Sequence, residues 1–395
     1  MRPAGACTDG DDAACADVDP PIAKRQYSLH GITFEVDPRY KVTRKLGAGS
    51  FGAVCEARDE ATGEMVAIKR VANAFEGLES CRRALREVRM LRHLDGHENI
   101  TRLRDIMLPP EGEWRDLYLV VDLCDVDLSY IIHSRQALSH GHVQWFTYQL
   151  MRGLKAIHSA RAIHRDLKPS NLLVDKNCDL RIADFGLARA VGEGEGEEAH
   201  LTEYVVTRWY RAPELIAQSP TYDASVDLWA AGCILAECLG RQVLLKGKDY
   251  LHQLRLILQL LGTPSEAELA TLQSPAAVEY IRALPRCTPT PLPAVLPTAP
   301  PAALDLLCQL LAFQARHRPS AERALEHPFL HELHELNDAP DSPPFDFASL
   351  TFDVGLRGGI GSRRAVLLSL IAKQMSGPRV QAQAKSADCI FQTCV

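Results

Sequence analysis

Four side chains of complementary chemistry lie close together in the sequence. Asp166, Lys168 and Asn171 fall within the run HRDLKPSN, and Asp184 opens the tripeptide DFG. Transfer of a phosphoryl group needs a carboxylate to orient a hydroxyl and take its proton. It also needs a cation near the phosphate oxygens, and carboxylate or amide oxygens to hold Mg2+. Any one of these residues could be an ordinary polar loop residue; the set is harder to read that way. Upstream, Gly47, Gly49 and Gly52 fit the spacing G-x-G-x-x-G. That spacing also occurs in dinucleotide-binding folds, where a helix follows the last glycine. Here a predicted strand, Ala53–Arg58, follows instead, so the glycines form the tip of a hairpin whose N–H groups can approach phosphates. Lys69 ends the run VAIK on the next predicted strand, where it would point inward. A buried ammonium needs an anion. Glu87, on the same helical face as Leu91, is the candidate partner.

These residues require particular elements to position them. YKVTRKL, AVCEARD, MVAIKRV and LYLVVDL are short β-branched or alternating runs and are predicted strands. A helix is predicted over about Glu79–Leu94, with Leu85, Val88 and Leu91 on its inner face. Beyond Asp122 the pattern turns helical, with Val143, Phe146, Leu150, Leu154 and Ile157 on one face. A strand-rich half followed by a helix-rich half predicts an α+β protein of two lobes joined near residues 122–126. Residues 1–39, rich in Ala, Asp and Pro, are expected to be a disordered arm. The catalytic domain is expected over 40–330, with a small lobe of about 40–123 and a large lobe of about 124–330. Residues 331–395 would be an extension and tail.

Composition sets outer limits. The chain has 395 residues, 46% hydrophobic and 24% charged, with a net charge of −6. That is enough apolar material for sizeable cores. It offers no basic field for nucleic acid or an anionic membrane surface. No apolar run approaches the length of a membrane span. The 12 cysteines show no C-x-x-C pair or zinc spacing and read as reduced thiols of an intracellular protein.

Taken together, GAGSFGAV, VAIK, HRDLKPSN, DFG and APE (Ala212–Glu214) resemble the protein-kinase signature over about residues 40–330. The resemblance implies a bilobal kinase fold, with a small β-rich lobe and a larger helical lobe, acting on ATP and Mg2+. It implies that Leu46, Gly47, Ala48, Gly49, Ser50, Phe51, Gly52, Ala53 and Val54 cover the nucleotide. Lys69, held by Glu87, would contact the α- and β-phosphates. Asp122 and Cys124 would lie at the hinge under adenine, with Val121 as gatekeeper. Asp166 would accept the substrate proton, Lys168 would steady the γ-phosphate, and Asn171 and Asp184 would hold the metal. An inactive kinase-like scaffold is the alternative that the intact set argues against.

Within kinases, Thr202-Glu203-Tyr204 ahead of TRWYRAPE, and LLGTPSEAEL further on, resemble the mitogen-activated protein kinases of the extracellular-signal-regulated type. The resemblance implies phosphorylation of Thr202 and Tyr204 by an upstream dual-specificity kinase. Phospho-Thr202 would be met by Arg86, Arg165 and Arg189, and phospho-Tyr204 by Arg208 and Arg211. It implies Ser/Thr-Pro substrates and signalling in the cytoplasm and nucleus. Substrates and phosphatases would dock on an acidic patch at Glu335 and Asp338, which Ala339 weakens. Arg318 is expected to pair with Glu214. Phe345 and Phe347 resemble an aromatic extension that packs back on the small lobe.

Overall fold

The computed structural model describes residues 24–49, 52–107, 115–191, 207–337 and 339–347. Strands β3 (Tyr40–Gly49), β4 (Gly52–Asp59), β5 (Met65–Val71), β6 (Leu103–Met107) and β7 (Leu117–Asp122) form one antiparallel sheet in the order β3-β4-β5-β7-β6. Strand β6 falls outside the predicted set. Its LRDIM run alternates weakly and is held by pairing with β7.

Period-two alternation gives the sheet two working faces. Cys55, Ala57, Val66, Ile68, Tyr118 and Val120 face one core cluster. Ala67, Leu119 and Val121 face another, shared with helix α1 (Leu78–His93) through Cys81, Leu85 and Val88. Lys69 lies two residues beyond Ala67 and therefore on the α1 face. The first cluster is closed by a hairpin, β1 (Arg25–Leu29) and β2 (Ile32–Val36). Its turn residues His30 and Gly31 both have positive φ, 49° and 78°. This is the turn geometry that matches strand twist in tight hairpins. The expected disordered arm is thus corrected for residues 24–39: Phe34 and Val36 are fully buried. Tyr27, Leu29, Ile32, Phe34 and Val36 carry a strand pattern that the Ala/Asp/Pro composition of the preceding residues masks.

The large lobe is built on α3 (His140–Ser159) and α5 (Ser225–Gly240), with α2 (Leu128–His133) and α4 (Pro213–Ile216) between lobe and site. Ser139 caps α3, its hydroxyl accepting from the His142 N–H. The predicted face Val143, Phe146, Leu150, Leu154 and Ile157 is buried. Each such side chain contributes roughly 1.5–3 kcal/mol to holding the lobe together. Helix α5 is buried on nearly all sides, including Asp227 and Trp229. Short strands β8 (Val126–Asp127), β9 (Ala162–Ile163), β10 (Leu172–Val174), β11 (Leu180–Ile182) and β12 (Arg189–Ala190) line the cleft between the lobes. Helix α6 (Tyr250–Leu261) starts at Asp249, whose Oδ1 accepts from the His252 N–H at 2.7 Å. Among the described residues every cysteine is free.

Residues 339–347 run from α3 to α1. Lys155 Nζ donates to the Ala339 carbonyl at 2.7 Å, and the Phe345 N–H donates to the Ala160 carbonyl at 2.8 Å. Phe345 meets His93 edge-on at 5.1 Å, so the aromatic extension does pack against the small lobe.

Candidate active site

Lys69 and Glu87 meet as their registers demand. Lys69 Nζ lies 2.6 Å from Glu87 Oε1 and 3.2 Å from Asp184 Oδ1. Burial works against the Lys69 ammonium, but Asp184 and Glu87 overcome it and raise its pKa above the ordinary lysine value. Burial pushes the Glu87 carboxyl upward against the pull of Lys69. Burial acts on Asp184 as well, yet Lys69 beside it keeps that carboxyl below the usual range. The lysine is therefore a fixed cation pointing into the cleft.

Asp166 is held from two sides. Lys168 Nζ donates to its Oδ2 at 2.7 Å. Asn171 Nδ2 donates to its carbonyl at 2.8 Å and to Oδ2 at 3.1 Å. The Asn171 amide is oriented by these bonds, which direct its Oδ1 away from Asp166. Both side-chain bonds to the Asp166 carboxylate fall on Oδ2, and among the described residues none reaches Oδ1. The loop beneath is anchored on Asp227. Burial would raise that carboxyl, but bonds from His158 Nε2 (3.0 Å), the His164 N–H (2.8 Å) and the Arg165 N–H (2.9 Å) lower it. Arg165 and Asp184 both sit in the left-handed region, with φ of 68° and 69°. Non-glycine residues adopt that conformation only where their surroundings enforce it. Here the enforcement includes Phe185, fully buried and packed edge-on against His164 at 5.0 Å.

The glycine loop divides by cause. Gly52 has φ of 142°, and a Cβ there would lie 1.8 Å from the Arg70 carbonyl oxygen, so the fold itself demands glycine. Gly47 and Gly49 have open space where a Cβ would stand. Packing among the described residues therefore does not demand glycine at those two positions. Leu46 and Val54 are part-buried against the α1-side core. Alternation turns the Ala53 methyl into the opposite core, so that its backbone is the part available to the cleft. Ala48 is exposed, and Ser50 and Phe51 lie outside the described residues.

At the hinge, Asp122 directs its carboxylate to Arg104 and its N–H to the Arg102 carbonyl. Its side chain is thus turned away from any base. Cys124 is buried, and burial raises its thiol pKa; Arg181 Nη1 points at its Sγ from 3.5 Å. Val121 is buried on the α1 face beside Leu119.

The arginines expected to read phosphate fall into two groups. Arg86 Nη1 donates to the Gly186 carbonyl at 2.7 Å, and Arg189 Nη1 to the Ala188 carbonyl at 3.2 Å. Arg165 lies over the Tyr222 ring. Arg208 and Arg211 lie over Tyr250, at 5.5 and 5.7 Å from its centroid. Thr202 and Tyr204 lie outside the described residues. Sequence reading omits Arg83, one turn before Arg86: its Cβ comes within about 4.0 Å of a Cβ built on Gly186, and Asp184 and Asp166 act on its charge. The i, i+3 spacing to Arg86 was the available signal. The expected pair forms fully: Arg318 Nη1 and Nη2 bind Glu214 Oε1 and Oε2 at 2.6 and 2.8 Å. Glu335 Oε1 lies 3.1 Å from His331 Nε2 on an exposed helix, and Asp338 lies outside the described residues.

The residues present suit a Mg-nucleotide. Asn171 Oδ1 and the Asp184 carboxylate are hard oxygen donors. That fits Mg2+, which takes few protein ligands and completes its shell with phosphate and water. The fold, the cleft and this donor set define a protein kinase, and the protein kinase domain family matches residues 40–330.

Mitogen-activated protein kinase 4a of Physcomitrium patens is 50% identical over 325 residues, covering 82% of this chain and 85% of that one. Mitogen-activated protein kinase 1 of Oryza sativa subsp. japonica is 49% identical over 325 residues, covering 82% and 80%. Mitogen-activated protein kinase MPS1 of Pyricularia oryzae is 47% identical over 346 residues, covering 87% and 82%. The chain belongs to the mitogen-activated protein kinases. It is a protein-serine/threonine kinase using ATP and Mg2+, and nothing favours the inactive scaffold. No helix among the described residues is long and apolar enough to cross a membrane.

Proposed function

We propose that the catalytic unit spans residues 40–330 and transfers the ATP γ-phosphate to Ser or Thr preceding Pro, after phosphorylation of Thr202 and Tyr204. The observation that carries the reading is the pair of locked constellations: Lys69 on Glu87 and Asp184, and Asp166 between Lys168 and Asn171. Lys69 would hold the α- and β-phosphates, and Asp166 Oδ1 would take the proton from the attacking hydroxyl. Lys168 would steady the γ-phosphate. Asn171 and Asp184 would hold Mg2+, which supplies neutralisation of phosphate charge when bound. The glycine loop would close over the phosphates, with the Asp122–Cys124 hinge beneath adenine.

An upstream dual-specificity kinase would supply the two phosphates. Arg86, Arg165 and Arg189, with Arg83, would receive the first, and Arg208 and Arg211 the second. The segment TRWYRAPE would accept the substrate proline. Glu335 and Asp338 would dock basic segments of substrates and phosphatases, and the kinase would work in cytoplasm and nucleus. Asp166→Asn should abolish transfer while leaving Mg-ATP affinity nearly intact. A Thr202→Ala, Tyr204→Phe protein that keeps full activity after upstream-kinase treatment would remove the activation reading.

A further inference from the structure

The segment that follows the phosphorylation sites is bonded into the start of α6 by a closed circuit. Trp209 Nε1 donates to the Gly247 carbonyl at 3.0 Å. The Gly247 N–H donates to Gln253 Oε1 at 2.9 Å, and Gln253 Nε2 donates to the Trp209 carbonyl at 3.3 Å. Gln253 is fully buried. Arg208 Nη1 adds a bond to the Lys248 carbonyl at 3.1 Å. Residues 207–211 are therefore tied to residues 246–253 and so to helix α6, which carries Arg255.

This part of the molecule carries exposed cations, Lys246, Lys248 and Arg255, that form no ion pair among the described residues. Lys246 Nζ stands over the Trp209 ring at 5.3 Å from its centroid. Between residues 238 and 265 the sequence supplies one carboxylate, Asp249, and its Oδ1 is engaged in capping α6. Arg241, the other cation of that stretch, is turned onto the carbonyls of α2. Arg208 and Arg211 lie alongside over Tyr250 and add positive charge next to the circuit. Such a surface, in a protein of net charge −6, attracts acidic chains and repels basic ones.

We propose that Lys246, Lys248 and Arg255 form a substrate subsite for acidic residues. It is held in fixed register with the phosphoacceptor platform by Gln253. The proposal rests on the reading of TRWYRAPE as the platform that accepts Ser/Thr-Pro. Carboxylates of a protein substrate, set off from the acceptor by a fixed spacing, would meet these cations. Because the platform and the subsite are tied together, the spacing itself would be selected.

The test uses the activated full-length kinase and Ser-Pro peptides. Each carries an Asp-Glu-Asp cluster at a different distance on either side of the acceptor, with an Asn-Gln-Asn counterpart. One side and spacing should exceed its counterpart about tenfold in kcat/KM at low ionic strength. The gain should shrink toward one when salt brings the Debye length to about 3 Å. The triple variant Lys246→Ala, Lys248→Ala, Arg255→Ala should bring the acidic-to-neutral ratio near one, and the triple Glu variant should prefer Lys-bearing peptides. An acidic-to-neutral ratio near one at every spacing, or a ratio that survives in the triple variants, overturns the proposal. Neutral Ser-Pro and Ser-Ala peptides run in parallel: equal rates there would overturn the proline reading instead, whatever the acidic ratio.

Discussion

The Arg86 guanidinium donates to the Gly186 carbonyl at 2.7 Å, and so helix α1 grips the turn that carries Asp184. The next residue on the helix, Glu87, grips Lys69 at 2.6 Å. Two adjacent side chains therefore set the distance between α1, strand β5 and the metal-holding loop. In the proposed activation Arg86 would also meet phospho-Thr202.

Arg86→Met should consequently lower kcat in the unphosphorylated protein as well as in the activated one. A buried charge-assisted bond contributes about 1.5–3 kcal/mol, which corresponds to roughly ten- to hundredfold. Initial rates of the phosphatase-treated enzyme measure this. A variant whose basal rate is unchanged and whose activated rate alone falls would confine Arg86 to phosphate binding.

Asp227→Asn should unseat the catalytic loop. The native carboxylate accepts from His158, His164 and Arg165, and an amide nitrogen cannot accept from a backbone N–H. The loss should be about 3 kcal/mol or more at neutral pH. The pKa of Asp227 is lower in the folded state than in the unfolded one. Its stabilisation is therefore complete above the unfolded value of about 3.9 and disappears as pH falls through the folded value. Thermal melts of both proteins should show a gap that is wide at pH 7 and closes in strong acid. A gap independent of pH would count against the charge as its origin.

The catalytic set was legible in sequence because its spacing is short and its residue types are restricted. Lys69 and Glu87 could be paired from alternation on a strand and the i, i+4 face of a helix. What escaped was set by the packed fold or masked by neighbouring residues. Asp122 was expected at the hinge, and only the fold shows Arg104 on the neighbouring strand holding its carboxylate. Ala53 lay within a ligand motif, yet strand alternation turns it into a core. Gln253 reads as one polar residue in an amphipathic helix, and only folding sets it between Gly247 and Trp209. The hairpin at Arg25–Val36 was hidden by the composition of the residues before it.

That hairpin should matter to stability. Phe34 is fully buried in the core cluster that also holds Val42, Ile68 and Tyr118. Phe34→Ala should cost about 3–5 kcal/mol, and removing residues 1–36 should lower Tm further than removing 1–23. Calorimetry of the two truncated proteins decides it. Equal melting temperatures would mean that the hairpin contributes nothing to the small lobe.

The circuit through Gln253 should govern peptide binding separately from nucleotide binding. A Cβ on Gly247 would fall 2.3 Å from Gln253 Oε1 and 2.8 Å from its Cα, which is backbone and cannot swing away. Gly247→Ala must therefore open the circuit, and Gln253→Met removes two of its bonds without changing side-chain length. Both variants leave Lys69, Asp166 and Asp184 untouched. Each should raise KM for a Ser-Pro peptide about tenfold, the equivalent of roughly 1.4 kcal/mol, with KM for ATP nearly constant. A general loss of packing would instead raise both constants and lower Tm in proportion. Parallel rises in the two KM values would thus reject Gln253 as a positioning residue and leave it a structural one.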